Sequence, residues 1–382
     1  MAEPVLKVQN LSVDYVVGAG TFHALKDVSF EMGPGRVVGI VGETGCGKST
    51  LGHAIPRILA EPPARIRSGK VLFRGMDLLT LSKWKLPLVR GTGIGMIFQE
   101  PINSLNPAFR IYDQLVETVR IRKLREIGKV PGLAPGLEPF DYSKRAMPKT
   151  SEMIIKPPIV PALPEKAQGR KAIPDKEEYR KEVLEYLRLV RINDPETILD
   201  LYPHELSGGM RQRIMIASAL SGKPSLLIAD EPTSALDITI QAQVLTLMKE
   251  LMEEVRTSIL FISHDLGVIA EMADDVGVMY AGHLVEFGPV EDVYEHPRHP
   301  YTKALLRANP NQYKEDGPLP SLTGSVPNLS RLPQGCAFHP RCILARDVCR
   351  ADPGPLLEPA KGATAAAHLA ACHFSDEVEA LP

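Results

Sequence analysis

The most constraining feature of this sequence is a glycine-rich turn that follows a continuous apolar run. The run covers residues 37–41, and residues 42–49 fit the pattern G-x-x-x-x-G-K-[S/T]. An apolar run of this kind is typical of a strand buried on both faces, and a helix is predicted from Lys48. Glycines let successive backbone N–H groups surround phosphate oxygens, and the positive end of the helix points at them. The order strand, loop, helix therefore predicts a phosphate-binding loop in a parallel α/β fold.

Residue types within this loop suit separate tasks in binding a nucleotide. We expect the Lys48 ammonium to reach the β- and γ-phosphates and the Ser49 hydroxyl to ligate Mg²⁺. Cys46 is interpreted as a small loop residue, with a redox-sensing role as the alternative. The residues predicted to contact the nucleotide in this segment are Gly42, Glu43, Thr44, Gly45, Cys46, Gly47, Lys48, Ser49 and Thr50.

A second apolar run supplies acidic residues at its end. Residues 226–229 are predicted as a buried strand, followed by Asp230 and Glu231. Asp230 would hold the Mg²⁺ shell directly or through water, and Glu231 is placed to orient or deprotonate an attacking water. The helical pattern at 238–256 and the apolar run at 259–262 complete a βαβ arrangement.

Residues 206–213 lie just before that strand and place two glycines at a helix start, which is another anion-binding end. A chain with one phosphate loop gains little from a second anion site unless the two meet across an interface. Here the sequence resembles the ATP-binding subunit of an ABC transporter, with residues 206–210 as the signature motif. The resemblance extends to Gln99 as the Q-loop, residues 234–237 as the D-loop and His264 as the H-switch.

The resemblance implies a dimer of cassettes packed head to tail. Each ATP would lie between the phosphate loop of one cassette and the signature of the other, here Ser207, Gly208 and Gly209. The second cassette would be an identical chain or a paralogue. The implied cofactors are ATP and Mg²⁺.

Four more side chains take roles from the same resemblance. Glu231 would be the catalytic carboxylate, and His264 would contact the γ-phosphate. Gln99 would join Mg²⁺ and link the site to membrane subunits. Tyr15 matches the aromatic residue that stacks on adenine, with Phe22 as a competitor.

Three further segments resemble the oligopeptide/dipeptide importer branch, namely residues 99–107, residues 296–302, and residues 336–342 with the later cysteines. This resemblance implies an ATPase that powers uptake through two separate transmembrane permease subunits, supplied by an extracytoplasmic substrate-binding protein. Import of oligosaccharides is the alternative. A non-transport ABC ATPase and a redox-sensing regulatory module are the rival functions.

Composition excludes other classes of protein. Lys and Arg number 44 against 46 Asp and Glu, so a strongly basic nucleic-acid binder is excluded and no nucleic-acid partner is expected. The sequence lacks an apolar stretch of about 18 residues, so we expect no membrane span. Residues 1–17 lack the basic end and apolar run of a secretory signal. The expected location is peripheral, at the cytoplasmic face of the cell membrane.

Four cysteines crowd the C-terminal part of the chain with the spacing C-x5-C-x6-C-x22-C. In a cytosolic chain such a group favours metal or iron–sulfur binding over disulfides, and four thiolates suit either Zn²⁺ or [4Fe–4S]. The wide spacing argues against zinc, and the resemblance to the importer branch implies [4Fe–4S]. We expect this group to lie in a core separate from the phosphate loop. The proposed ligands are Cys336, Cys342, Cys349 and Cys372, with His339, His368 and His373 as alternatives.

The predicted fold is α/β: a P-loop NTPase core of the ABC-cassette type with an antiparallel β subdomain, an inserted helical subdomain and an irregular C-terminal cysteine-cluster region. Residues 1–100 and 207–290 would form the nucleotide-binding core, and residues 101–206 the helical subdomain. A Pro-rich basic insertion is predicted at 122–174, as a solvated loop or a contact for lipid headgroups or a partner. Residues 291–382 would form the C-terminal extension.

Overall fold

The computed structural model describes residues 3–18, 20–100, 104–126, 176–234, 236–255, 257–308, 324–351, 354–362 and 367–381. The insertion predicted at 122–174 lies outside the described residues from position 127 onward.

The described residues form ten α-helices, which include those that the sequence predicts from Lys48 and at 238–256. Their bounds are α1 (Lys48–Ala54), α2 (Leu86–Val89), α3 (Ile111–Glu126), α4 (Lys176–Leu189), α5 (Pro195–Ile198), α6 (Gly208–Ser221), α7 (Ile238–Val255), α8 (Leu266–Met272), α9 (Val290–Glu295) and α10 (Pro300–Arg307).

The strands form two sheets. A four-stranded antiparallel sheet has the order β2-β1-β4-β5, and an eight-stranded mixed sheet has the order β11-β12-β10-β9-β3-β8-β7-β6. The strands are β1 (Leu6–Val17), β2 (Gly20–Met32), β3 (Val37–Val41), β4 (Ala64–Phe73), β5 (Met76–Asp77), β6 (Ile94–Ile97), β7 (Leu226–Asp230), β8 (Ser258–Ile262), β9 (Asp275–Tyr280), β10 (His283–Pro289), β11 (Glu358–Pro359) and β12 (Leu369–Ala370).

The centre of the mixed sheet consists of parallel strands that the sequence predicts. β6, β7, β8 and β3 lie side by side, and each residue of β3, β7 and β8 is buried. Apart from Asp230 and Ser258 at strand ends, the residues of these three strands are apolar or glycine, as expected for strands covered on both faces. Their carboxyl ends meet at one edge, so the segments that follow the four strands are brought together there.

The N-terminal strands differ from the prediction in one respect. The alternation of apolar and polar residues at 5–8 and 11–15 predicts two separate strands, but residues 6–17 form the single continuous strand β1. Register shifts on both of its partners fall near Asn10, whose φ of 47° lies in the left-handed region. Bulges of this kind let a strand continue through a break in the alternating pattern.

The C-terminal part of the chain is attached to the mixed sheet by a buried carboxylate. Glu286 on β10 accepts hydrogen bonds from the backbone N–H groups of Arg298 (2.6 Å) and His299 (2.9 Å), and its Oε1 lies 2.7 Å from His368 Nε2. The side chains of Glu286 and His368 are 0% and 1% exposed. His368, one of the alternative metal ligands, is therefore occupied by this contact. β12 pairs with β10 beside it.

Candidate nucleotide-binding site

The phosphate loop has the backbone conformation that its glycines permit. α1 begins at Lys48, with Gly47 before it at a φ of 107°, and Gly42 and Gly45 have φ values of 152° and 81°. A Cβ atom on Gly47 would lie 2.5 Å from the carbonyl oxygen of Ala24. Glycine is therefore required at position 47 by both conformation and space.

Lys48 lies within the loop that precedes it. Its ammonium donates hydrogen bonds to the carbonyl oxygens of Gly42 (2.8 Å) and Glu43 (3.2 Å), and the residue is 5% exposed. Its positive charge is thus held among backbone groups, where a phosphate would neutralise it. Cys46 is fully buried, and burial raises the pKa of its thiol. A protonated, inaccessible thiol argues against the redox-sensing alternative.

Two of the three predicted magnesium ligands, Ser49 and Asp230, are in contact beside the loop, whereas Gln99 contacts Glu231. Ser49 Oγ donates a 3.0 Å hydrogen bond to Asp230 Oδ1 at the end of β7. Burial raises the pKa of Asp230, and the hydrogen bond from Ser49 opposes that effect. A hydroxyl and a carboxylate are the oxygen ligands that Mg²⁺ prefers, so these residues fit the ion.

His53 is a residue of this site that sequence reasoning missed. Its Nε2 lies 3.4 Å from Asp230 Oδ2, and burial lowers the pKa of its imidazole. His53 stands four residues after Ser49 on α1, and residues with this spacing share one face of a helix. That spacing was the signal in the sequence that could have found it.

Two predicted residues, Gln99 and His264, converge on one carboxylate oxygen of a third, Glu231. Gln99 Nε2 donates to Glu231 Oε2 over 3.2 Å, and His264 Nδ1 lies 3.2 Å from the same oxygen. Gln99 follows β6, Glu231 follows β7 and His264 follows β8, so the parallel strands produce the convergence. Glu231 has a φ of 45°, and its backbone N–H donates to the carbonyl of Ile262. A left-handed non-glycine residue is common where a site needs a fixed side chain.

The signature residues are held by a different element. Ser207 caps α6, and its Oγ accepts a 3.3 Å hydrogen bond from Met210 N–H. A Cβ atom on Gly208 would meet open space. Among the described residues, no hydrogen bond or ion pair joins positions 207–209 to positions 42–50. The D-loop residue Ser234 donates a hydrogen bond to the Glu231 carbonyl, while position 235 lies outside the described residues.

Tyr15 and its competitor Phe22 lie opposite each other on the neighbouring strands β1 and β2. The register of β1 and β2 pairs Tyr15 directly with Phe22 near the sheet's end. Phe22 is 38% exposed, whereas Tyr15 is partly buried. The choice of Tyr15 as the adenine-stacking residue stays a prediction.

The C-terminal region touches the phosphate loop. Arg341 donates hydrogen bonds to both carboxylate oxygens of Glu43, and the hydroxyl of Tyr301 accepts one from the Glu43 backbone N–H. The two segments are thus in polar contact, although they belong to different hydrophobic clusters: Cys46 lies in one, and Ala337 and Phe338 lie in the other. These contacts join residues 298 and 258 positions apart, a separation that leaves no local pattern in the sequence.

All four C-terminal cysteines line one cavity, together with His339 and His373. Burial, together with the charges of the neighbouring cysteines, raises the pKa of the Cys342 thiol to about 11 and that of Cys372 to about 12. Without a cation these groups are neutral thiols. Within the described ranges, no group of three or more His, Cys, Asp or Glu side chains could hold a metal ion.

Two protein families match this chain. The ABC transporter family matches residues 25–234, and the C-terminal region of oligopeptide/dipeptide transporters matches residues 285–349. In the part of the chain that the structure describes, helices are too short or too polar to cross a membrane.

Curated relatives match over nearly the full length. A putative peptide import ATP-binding protein of Brucella abortus is 40% identical over 354 residues, covering 93% of this chain and 91% of the relative. The dipeptide transport ATP-binding protein DppD of Bacillus subtilis is 40% identical, covering 92% and 91%. The oligopeptide transport protein OppD of the same organism is 39% identical, covering 90% and 83%.

Solved structures share the fold. A dimeric ATP-binding cassette in a post-hydrolysis state with ADP and Pi has a TM-score of 0.54 and 25% identity, and covers 75% of this chain and 98% of that one.

The chain therefore belongs to the ABC transporter family. Within that family it carries the oligopeptide/dipeptide C-terminal region, and its activity is ATP hydrolysis coupled to transport.

Gly47→Ala tests the geometry of the loop, with Gly45→Ala as a matched control. Both positions have positive φ, which costs a side chain about 1–2 kcal/mol, but only a Cβ atom at Gly47 meets backbone within 4 Å. We expect Gly47→Ala to bind ATP at least about 10-fold more weakly than Gly45→Ala, since about 1.4 kcal/mol is tenfold. Calorimetric titration of the full chain with ATP and Mg²⁺ measures this. Equal affinities of the two variants would contradict the assigned loop.

Proposed function

We propose that this chain powers the import of peptides by binding and hydrolysing ATP beside the carboxyl ends of β3, β7 and β8. The observation that carries the proposal is the convergence of Gln99 and His264 on Glu231, next to the Ser49–Asp230 pair. The names of the relatives from Brucella abortus and Bacillus subtilis support peptides as the substrate class.

Phosphate binding is assigned to the loop and to Lys48. The backbone N–H groups of residues 44–48 surround the β- and γ-phosphates, and the Lys48 ammonium neutralises them. Ser49, Asp230 and Gln99 hold Mg²⁺, which when bound withdraws charge from the phosphates. His53 stays close to Asp230 and adds to the positive potential there when protonated.

Hydrolysis is assigned to Glu231 and His264. The Glu231 carboxylate accepts hydrogen bonds or a proton from the attacking water, and its left-handed backbone fixes its direction. His264 lies 3.2 Å from it and is 57% exposed, so it is available to a γ-phosphate that enters from outside. The Glu231 side chain is 14% exposed, so its position is restricted by neighbouring residues while a water molecule can still reach its carboxylate.

The assembly follows from the separate positions of the two anion-binding segments. Ser207, Gly208 and Gly209 act on the ATP of a second cassette, identical or paralogous, and this chain's phosphate loop is closed by the partner's signature. Gln99 transmits the state of the site to two transmembrane permease subunits, which receive peptide from an extracytoplasmic binding protein. The chain is peripheral at the cytoplasmic face of the membrane. The helices at 111–126 and 176–189 belong to the helical subdomain, which contacts the permeases.

The cysteine-lined cavity is assigned to a [4Fe–4S] cluster. A single zinc ion requires sulfurs grouped around Zn–S bonds of about 2.3 Å, and the described residues offer no such group. A four-iron cluster takes one cysteine at each iron, and all four cysteines line this one cavity. When bound, the cluster would cross-link residues 336–349 to Cys372.

Glu231→Gln tests the catalytic assignment. The amide keeps the shape of the side chain but neither takes a proton nor carries charge, so turnover falls by about 10²–10⁴-fold while ATP binding persists. Steady-state ATPase activity of the assembled transporter and ATP titration of the chain measure the two quantities. Glu291→Gln, at an exposed position on α9, is the control. Turnover of Glu231→Gln within a few-fold of the parent would reject the assignment.

Cys342→Ser tests the cluster assignment. Anaerobically purified parent protein should contain about four irons per chain and absorb broadly in the visible range, as thiolate-ligated clusters do. Cys342→Ser should lose the iron, whereas Cys46→Ser, which alters the cysteine outside the cavity, should keep it. One stoichiometric zinc and no iron in the parent would overturn the assignment.

A further inference from the structure

The C-terminal region contacts the phosphate loop through a bidentate ion pair between Arg341 and Glu43. Arg341 Nη1 lies 2.9 Å from Glu43 Oε2, and Arg341 Nη2 lies 3.2 Å from Glu43 Oε1. Arg341 ends the short 3₁₀ helix His339–Arg341, with Cys342 directly after it and Cys336 shortly before. A guanidinium that meets both carboxylate oxygens fixes orientation as well as distance.

The ion pair is shielded from water. The Arg341 side chain is 6% exposed and that of Glu43 is 26% exposed. The guanidinium carbon lies 5.7 Å from the ring centre of Tyr280 and 5.9 Å from that of Phe338, and Nη1 reaches the Tyr280 hydroxyl over 3.3 Å. Burial alone would lower the pKa of Arg341, but the hydrogen bonds with Glu43 and Tyr280 outweigh it and raise the pKa. The guanidinium is therefore permanently charged.

Glu43 is the second residue of the phosphate loop and is held at every polar group. Its backbone N–H donates to Tyr301 Oη (2.9 Å), and its carbonyl accepts from Lys48 Nζ (3.2 Å). Arg341 holds its carboxylate. Tyr301 is fully buried on α10, so the loop's first turn is fixed from the C-terminal side by two side chains.

We propose that Arg341 is a positioning residue for the phosphate loop, through which the C-terminal region sets the affinity for ATP. The inference rests on the proposed nucleotide site. Arg341 acts in two ways: it fixes the start of the loop, and it neutralises a carboxylate that would otherwise repel phosphate groups bound by the same loop. Glu231 and His264 have no contact with Arg341 among the hydrogen bonds described for them, so the chemical step is not its task.

The test compares Arg341→Ala, Arg341→Lys, Glu43→Ala and the double variant Glu43→Ala with Arg341→Ala, each as the full chain. Arg350→Ala is the matched control, because Arg350 is 56% exposed and, in the part of the chain that the structure describes, pairs with Asp347 three residues away. Titration with ATP and Mg²⁺ gives the dissociation constants. We expect about 10- to 100-fold weaker binding for Arg341→Ala, as for loss of one partner of a buried charge pair. We expect partial rescue by Arg341→Lys, which keeps the charge but not the fork.

The double variant separates repulsion from general damage. Without Glu43 there is no uncompensated carboxylate, so we expect the double variant to bind ATP more tightly than Arg341→Ala alone. In a transporter assembled with its permeases, Arg341→Ala should raise the KM for ATP and leave kcat near that of the parent. The melting temperature of the double variant without nucleotide should match that of Arg350→Ala, because neither charge is left unpaired.

The outcomes that overturn the proposal are distinct. Parent-like affinity for ATP in Arg341→Ala would overturn it. So would a double variant that binds ATP no more tightly than Arg341→Ala and also has a lowered melting temperature, because that result indicates a merely structural role. Failure of the parent chain to bind ATP would instead reject the nucleotide site itself.

Discussion

The hydrogen bond between Ser49 and Asp230 joins two segments that lie 181 positions apart, and the site is organised around it. It forms because β3 and β7 run parallel on either side of β8 and end at the same edge of the sheet. A parallel order needs crossover connections, and α7 supplies the one between β7 and β8. The same order brings Gln99, Glu231 and His264 to one point. The chemistry therefore depends on strand order more than on any single loop.

The elements with local signals could be predicted from sequence. Strand β3, the loop and the start of α1 follow from an apolar run, glycine spacing and Lys48, because these features act within a few residues. The acids at the end of β7 were found for the same reason, whereas the histidine after β8 was found through the resemblance to ABC transporters. β1 was predicted as two strands because its bulges interrupt the alternation from which strands are read.

Contacts between distant segments could not be predicted in this way. Arg341 and Tyr301 were seen only as parts of importer-branch motifs, since nothing in their neighbourhood indicates that Glu43 is their partner. The burial of Glu286 with His368 was missed for the same reason. Buried pairs of this kind contribute little net stability once desolvation is counted, but they are costly to break on one side. Together they fix where the C-terminal region meets the cassette.

The central claim is that this chain holds one half of an ATP site, with its signature acting on another cassette. The direct measurement compares Ser207→Arg with Lys48→Ala, both as the isolated chain and in the assembled transporter. Ser207→Arg should bind ATP like the parent in isolation and block hydrolysis in the assembly, because no hydrogen bond among the described residues joins Ser207 to the loop of its own chain. Lys48→Ala should weaken ATP binding in isolation. If the isolated chain loses ATP equally in both variants, the shared site is the wrong picture.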